Sequence, residues 1–355
     1  MRVGLVGKLG DEGGGIGRYT QKLYESLKDE GIDVEIIWKD EISLPIKVTF
    51  HSFFNLPFTV LKNSKKFDII HSTWVGHSVA FPMISKPKLT TIYDLILIYG
   101  TRWTSSRPHL RLFNFSIFKS YLSFVKSSDL LLAISSQTKN ELIRYGFSED
   151  NIRVTPLGVD KRFKPRKLKK DRFIVGYLGA LTYRKGIEYV IESFALFKKL
   201  AVGKDDPITE SELWLCGKEG GDYPSGYLSE LAKKLGIEEY VKFKGFIPEE
   251  KIVETYNRFD VFVFGTHYEG FGLMILEAQR CGIPVIVRDS AKIPKEVSEY
   301  CLKAISPQDM ATKIHNLVAN KNLRKKLVKE GIKYSSKFTW ERTAKETLKV
   351  YEELP

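Results

Sequence analysis

Two glutamates eight positions apart, Glu269 and Glu277, bracket the run Gly270-Phe271-Gly272-Leu273, and this pattern suits the holding of a phosphorylated sugar. The apolar run Val261–Phe264 before them reads as a buried strand, and Leu273 onward as a helix. Glycines in the connecting loop let backbone N–H groups approach a ligand, and a helix N-terminus aimed at that spot favours a phosphate. Glu277, about a turn into the helix, can accept two hydrogen bonds from a vicinal diol such as a ribose. Glu269, in the loop, lies where a sugar joined to the diphosphate would sit. A Gly-rich turn carrying two solvated glutamates is the plainer account of the same residues.

A second strand–loop–helix pattern, Gly176 to Gly186, carries the adjacent cations Arg184 and Lys185. A departing diphosphate needs its developing charge stabilised, by a metal or by fixed cations and amides. The chain has no Asp-X-Asp and no clustered metal ligands, so the expectation is Arg184 and Lys185, with no metal and no cofactor. The macrodipole disfavours a basic pair at a helix start, and an anionic ligand gives that pair a reason. A third element, Gly13-Gly14-Gly15-Ile16-Gly17-Arg18-Tyr19, follows the first strand; Thr20 stands where a dinucleotide fingerprint would have its third glycine.

Positioning these groups takes sheets. Short apolar runs alternate with helical patterns in two series, Val3–Val6 to Leu130–Ile134 and Phe173–Leu178 to Pro284–Val287. That alternation predicts two Rossmann-like, doubly wound α/β domains. The basic, Pro-interrupted stretch Lys161–Lys170 reads as the linker. The expected boundaries are 1–165 for an acceptor-side domain and 166–339 for a donor domain, with 340–355 a helix returning to the first. Two such domains facing across a cleft bring both ligand-binding crevices together.

At 355 residues with 43% hydrophobic and 28% charged residues, the chain reads as a globular two-domain protein. The opening Met1–Gly7 is too short and too Gly-punctuated for a signal peptide and reads as a strand. Three scattered cysteines, Cys216, Cys281 and Cys301, suggest reduced thiols and a cytoplasmic protein. The net charge of +13 is uneven: 42–128 holds 11 Lys/Arg against Asp68 and Asp94, with 15 aromatics including Phe54, Phe58, Trp103 and Phe113. That mixture suits an anionic membrane surface and gives a peripheral location at the inner membrane face. Single-stranded nucleic acid is a weaker match, and a core of aromatics under a solvated basic face is the bland one.

Taken together these segments resemble the retaining glycosyltransferases of family 4, which have the GT-B fold. Gly14 to Tyr19 is similar to that family's glycine loop, Ala133 to Lys139 to its "VSE-x-TK" segment, and Thr155 to Asp160 to its "PNGVD". Gly245-Phe246-Ile247-Pro248 resembles its nucleotide-side loop, Tyr268 to Glu277 its E-x7-E signature, and Ala278 to Ile286 the "EAMACGTPVV" pattern. The resemblance implies that Glu277 binds the donor ribose and Glu269 contacts the transferred sugar. It implies that Phe271, Gly272 and Leu273 offer amides, Lys185 binds the diphosphate, Gly14 and Gly15 close on the phosphates, and Ile247 lies near the base. Two departures stand out. Ala180 replaces the usual arginine, whose charge Arg184 can supply, and Tyr93-Asp94 stands where His-Asp is common, making Asp94 an acceptor-side candidate or a cap.

The implied reaction is a metal-independent, retaining transfer of a mannose- or glucose-type hexose from a GDP- or UDP-sugar to a glycan or lipid-linked acceptor. No carboxylate pair for a covalent intermediate is evident, so the departing diphosphate is expected to take the acceptor's proton. The rivals are a GT-B nucleotide-sugar epimerase, an NAD-dependent oxidoreductase, and a non-catalytic basic protein binding membrane or nucleic acid.

Overall fold

The computed structural model describes residues 1–10, 14–38, 51–100, 102, 108–203, 206–220 and 222–355. Gly13 and Trp103, singled out above, lie outside the described residues. The chain forms two compact units, one drawn mainly from residues up to Gly158 with the addition of Phe338–Pro355, the other mainly Val159–Lys337.

In the first unit the apolar runs become β1 (Arg2–Val6), β2 (Asp33–Ile37), β3 (Ile69–Ser72), β4 (Lys88–Ile92), β5 (Leu130–Ala133) and β6 (Ile152–Val154). They pair in the order β2-β1-β3-β4-β5-β6, all parallel. The second unit holds β7 (Ile174–Leu178), β8 (Glu212–Cys216), β9 (Val241–Gly245), β10 (Val261–Phe264), β11 (Val285–Arg288) and β12 (Leu302–Ala304). Their order is β12-β11-β10-β7-β8-β9, again all parallel. Both units are thus Rossmann-like. The order reverses between β1 and β3 in the first sheet and between β7 and β10 in the second, and such points gather ligands at the carboxyl ends of the strands. All four residues of β10 are buried, as expected of a central strand covered on both faces. The edge strands β6 and β12 have three residues each, too few to stand out as apolar runs.

The longer helices of the first unit are α1 (Gly14–Asp29), α2 (Leu56–Ser64), α3 (Pro108–Val125) and α4 (Ser136–Tyr145). Those of the second are α5 (Ile187–Lys198), α6 (Tyr227–Lys234), α7 (Glu249–Arg258), α8 (Leu273–Arg280), α9 (Pro307–Ala319) and α10 (Lys321–Ser335). The last helix, α11 (Trp340–Glu352), belongs to the first unit. Thr339 caps it, its hydroxyl accepting from the Arg342 N–H. Trp340, Thr343, Ala344, Thr347, Val350 and Tyr351 form its buried stripe at helical spacing. The Thr343 hydroxyl donates to the Pro156 carbonyl at 2.8 Å, and the Tyr351 hydroxyl lies 2.7 Å from His71 Nδ1.

The basic stretch expected as a linker is held against α7. The Arg166 N–H donates to Asn257 Oδ1 at 2.6 Å, and Asn257 Nδ2 donates to the Lys164 carbonyl at 3.1 Å. Lys170 Nζ donates to the Phe259 carbonyl at 2.6 Å. Its backbone partners therefore come from the second unit.

Candidate active site

The loops that follow β7 and β10 meet at the switch point of the second sheet. Their close approach needs glycine on both sides: a Cβ on Gly186 would stand 2.1 Å from the Gly265 carbonyl oxygen, and one on Gly265 would stand 2.5 Å from that of Gly186. The His267 N–H donates to the Arg184 carbonyl at 2.8 Å and ties the two loops together, and the Glu269 N–H donates to the Lys292 carbonyl at 2.8 Å in the loop after β11.

This junction joins three of the residues singled out in the sequence. Lys185 Nζ donates to Glu269 Oε1 at 2.6 Å, and Arg184 donates to the same oxygen at 3.1 Å and to the Tyr268 carbonyl at 2.9 Å. The Thr266 hydroxyl adds a fourth contact, 2.9 Å from Oε1. Lys185 is 4% exposed and Glu269 6%, so the plainer account of a solvated glutamate and a surface basic pair does not fit. Burial alone pushes the Glu269 carboxyl up, but the charges of Lys185 and Arg184 and the bonds from Lys185 and Thr266 bring it below its ordinary range. The Phe264 ring lies 5.2 Å from Lys185 Nζ and adds a cation–π contact. A lysine and an arginine thus converge on one carboxylate oxygen.

Glu277 sits about a turn into α8, 5% exposed, and accepts from the Tyr256 hydroxyl at 2.9 Å through Oε2. Gly272 forms the N-cap of α8 and Leu273 its first residue, with Phe271 buried just ahead. Backbone amides at this helix start are an anion-binding arrangement. Ile247 is half-buried in the loop after β9, two strands along from β7.

The remaining candidates lie in the first unit. Gly14 and Gly15 form the first turn of α1 directly after the β1 loop. Asp94 follows β4, and its carboxylate accepts from the Ile96 N–H at 3.1 Å, two residues on, where a short helix at Ile96–Tyr99 begins with Leu95 as its N-cap. Tyr93 lies edge-on to Tyr19, and its buried hydroxyl has no hydrogen-bond partner among the described residues.

Residues 13–163 match Glycosyltransferase Family 4, and residues 159–334 match Glycosyl transferases group 1. The two matches together run from residue 13 to residue 334, and both are to glycosyltransferases, which the chain resembles along most of its length. The D-inositol 3-phosphate glycosyltransferase of Corynebacterium jeikeium is 30% identical over 251 residues, which is 65% of this chain and 59% of that protein. The match thus spans about three-fifths of that relative's length. Among solved structures, sucrose-phosphate synthase from Thermosynechococcus elongatus superposes with a TM-score of 0.79 at 20% identity, covering 99% of this chain and 98% of that one. HepE from Anabaena, in complex with UDP and glucose, gives a TM-score of 0.75 at 17% identity, covering 99% of each chain. These likenesses confirm the GT-B fold.

Two residues that contact the candidate site escaped the sequence reading. Thr266 stands three positions before Glu269, in the segment already under scrutiny, but a threonine at a strand end carries no signal by itself. Tyr256 lies on α7, 21 positions before Glu277, and only the fold brings its hydroxyl to that carboxylate. Among the described residues no three His, Cys, Asp or Glu side chains gather as a metal-ligand set.

Proposed function

We propose that the chain transfers a mannose- or glucose-type hexose from a GDP- or UDP-sugar to a glycan or lipid-linked acceptor, with retention and without a metal. The observation that carries this reading is the buried Lys185–Glu269 pair, joined by the half-buried Arg184, at the switch point and shortly ahead of the α8 N-cap in the chain. Glu269 is the carboxylate on which both Lys185 and Arg184 converge, so their charge is offset where Lys185 is buried. Lys185 and Arg184 then stabilise the charge that builds on the departing diphosphate, and Glu277, oriented by Tyr256, takes the ribose diol. In the transfer the bond from the anomeric carbon to the diphosphate oxygen breaks as a bond to the acceptor oxygen forms on the same face. The acceptor's proton passes to the diphosphate. Phe271, Gly272, Leu273, Gly14 and Gly15 supply donor contacts, Ile247 borders the base, and Asp94 serves the acceptor.

For the acceptor we propose a membrane setting, with the chain peripheral at the cytoplasmic face, and α3 supports the membrane contact. None of its first ten residues is buried; the buried ones begin at Phe118. Leu112 is 67% exposed and Phe113 53%, while on α2 Phe58 is 74% exposed. Arg111 and Lys119 flank the α3 residues, and α3 contains no acid. Apolar side chains left in water beside cations support contact with an anionic bilayer. No helix among the described residues is long and apolar enough to cross one.

Thermal shift across UDP-, GDP- and ADP-sugars tests the donor half, because a ligand at 100 times its Kd stabilises by about 2.7 kcal/mol. A rise in Tm with one of them, followed by sugar transfer to an added acceptor, is expected. No shift with any of them removes the donor site, and isomerised donor without acceptor points to an epimerase. Sedimentation with anionic vesicles tests the membrane half, and binding should fall steeply as salt is raised.

A further inference from the structure

The second unit has another concavity, at the opposite edge of its sheet. Asp260 immediately precedes β10 and Pro284 immediately precedes β11, whereas the Glu269 cluster follows β7 and β10. A four-residue strand separates the two edges by about 13 Å. The cavity measures about 620 Å³, within the range of small-ligand sites. Phe259, Ile283, Pro284, Val328 and Ile332 give it apolar walls. Around them stand Lys170, Arg324, Lys325, Lys329 and Lys333.

This ring is assembled by the fold from stretches far apart in sequence. Residues 161–170 carry seven Lys/Arg and no acid, and residues 321–337 carry seven with Glu330 as the one acid. Lys170 comes from the first stretch and the other four cations from α10. Asp260 is the one acid lining the cavity, and it accepts from the Ile174 N–H at 3.0 Å and from Lys170 Nζ at 3.1 Å, with Arg324 Nη1 3.9 Å from the same Oδ1. Among the described residues Lys325, Lys329 and Lys333 form no ion pair. A purely polar anion would leave the apolar walls wet, and a neutral apolar molecule would leave the like charges uncompensated. The occupant that satisfies both is an anion attached to an apolar chain.

We propose that this cavity binds an amphiphilic anion, a phosphate or carboxylate head on an apolar tail, with the head among Arg324, Lys325 and Lys329 and the tail against Val328 and Ile332. Isothermal titration of the full chain with octyl phosphate below its micelle concentration tests this. Octyl glucoside and inorganic phosphate serve as probes lacking the charge and the tail. Saturable one-to-one binding of octyl phosphate is expected, at least tenfold tighter than either probe. The double substitution Arg324→Glu with Lys329→Glu should weaken it at least tenfold, and so should Val328→Trp, which fills the cavity. Thermal shift by the donor sugar should persist in both variants, showing that they fold and that the two sites are separate. Absence of saturable binding, equal binding of inorganic phosphate, or wild-type affinity in both variants overturns the proposal.

Discussion

Lys185 and Glu269 follow different strands, yet their charged atoms lie 2.6 Å apart with side-chain exposures of 6% and 8%. Bonds from Arg184 and Thr266 hold the same carboxylate oxygen, so in the proposed transfer the pair would reorganise little as a diphosphate departs. Preorganised charge of this kind contributes about 3–4 kcal/mol for one contact. Lys185→Ala should therefore lower kcat by two to three orders of magnitude. Glu269 would keep Arg184 and Thr266 as partners, so the variant should still fold, with a lower Tm. Near-normal turnover in a folded Lys185→Ala protein would take Lys185 out of the mechanism.

The same pair gives a pH signature. Glu269 titrates below its ordinary value in the folded chain, so the unfolded chain binds its proton first as pH falls. Its stabilising contribution is complete above the unfolded value of about 4.3 and is lost as pH falls through the lower folded value. Urea unfolding of wild type and Glu269→Gln should show a stability difference at pH 6 that shrinks toward pH 3. A pH-independent difference would mean that the carboxylate is not held ionised by its neighbours.

How far the sequence reaches is visible in this cluster. Local patterns place Glu269, Glu277, Arg184 and Lys185 at strand and helix ends, because apolar runs and glycines are short-range signals. The order in which strands pair is not written locally: β7 and β10 are neighbours although β8 and β9 intervene in the chain. Contacts that depend on this order, such as Lys185 to Glu269, are legible only as a guess about a shared ligand. Tyr256 to Glu277 is not legible at all. Composition likewise cannot divide the aromatics of 42–128: Phe118 and Tyr121 enter the core while Phe54 and Phe58 stay in water. The basic stretch 161–170 reads as free linker because nothing local shows that Asn257 holds it.

Tyr256 should tune donor binding more than chemistry. Its hydroxyl is the donor recorded on Glu277 Oε2, and a hydrogen bond to a charged group contributes about 1.5–3 kcal/mol. Tyr256→Phe should raise the donor's KM by roughly tenfold or more while changing kcat little. A matched loss in kcat with unchanged KM would move Glu277 from donor binding to the reacting centre.

Two of the three glycines of α1 make opposite predictions. A Cβ on Gly17 would stand 2.2 Å from the Gly10 carbonyl oxygen, so Gly17→Ala must push the β1 loop away and lower Tm. A Cβ on Gly15 meets nothing within 4 Å, and alanine favours a helix over glycine by about 1 kcal/mol. Gly15→Ala should therefore raise Tm, yet lower kcat/KM if the open space beside it receives the donor's phosphates. A stabilised variant with unchanged kinetics would leave Gly15 as a helix residue only.

Two buried histidines make the first unit sensitive to acid well above the carboxylate range. Burial pushes His71 down to about 3, and burial, with a smaller opposing bond to the Val6 carbonyl, holds His77 at about 3. Between their unfolded value of about 6.5 and that range, the unfolded chain binds protons that the folded chain refuses. Stability then falls with pH by up to roughly 1.4 kcal/mol per unit for each histidine. His71 also links the last helix to the sheet, with one ring nitrogen 2.7 Å from the Tyr351 hydroxyl and the other 2.8 Å from Thr91 Oγ1. Protonating it would leave two donors facing hydroxyls in a site without a counter-ion among these contacts. Urea unfolding between pH 7 and 4.5 should show a continuous loss of stability, and His71→Gln should flatten that slope while lowering stability at pH 7. An unchanged slope in the variant would mean that His71 takes up its proton as readily folded as unfolded.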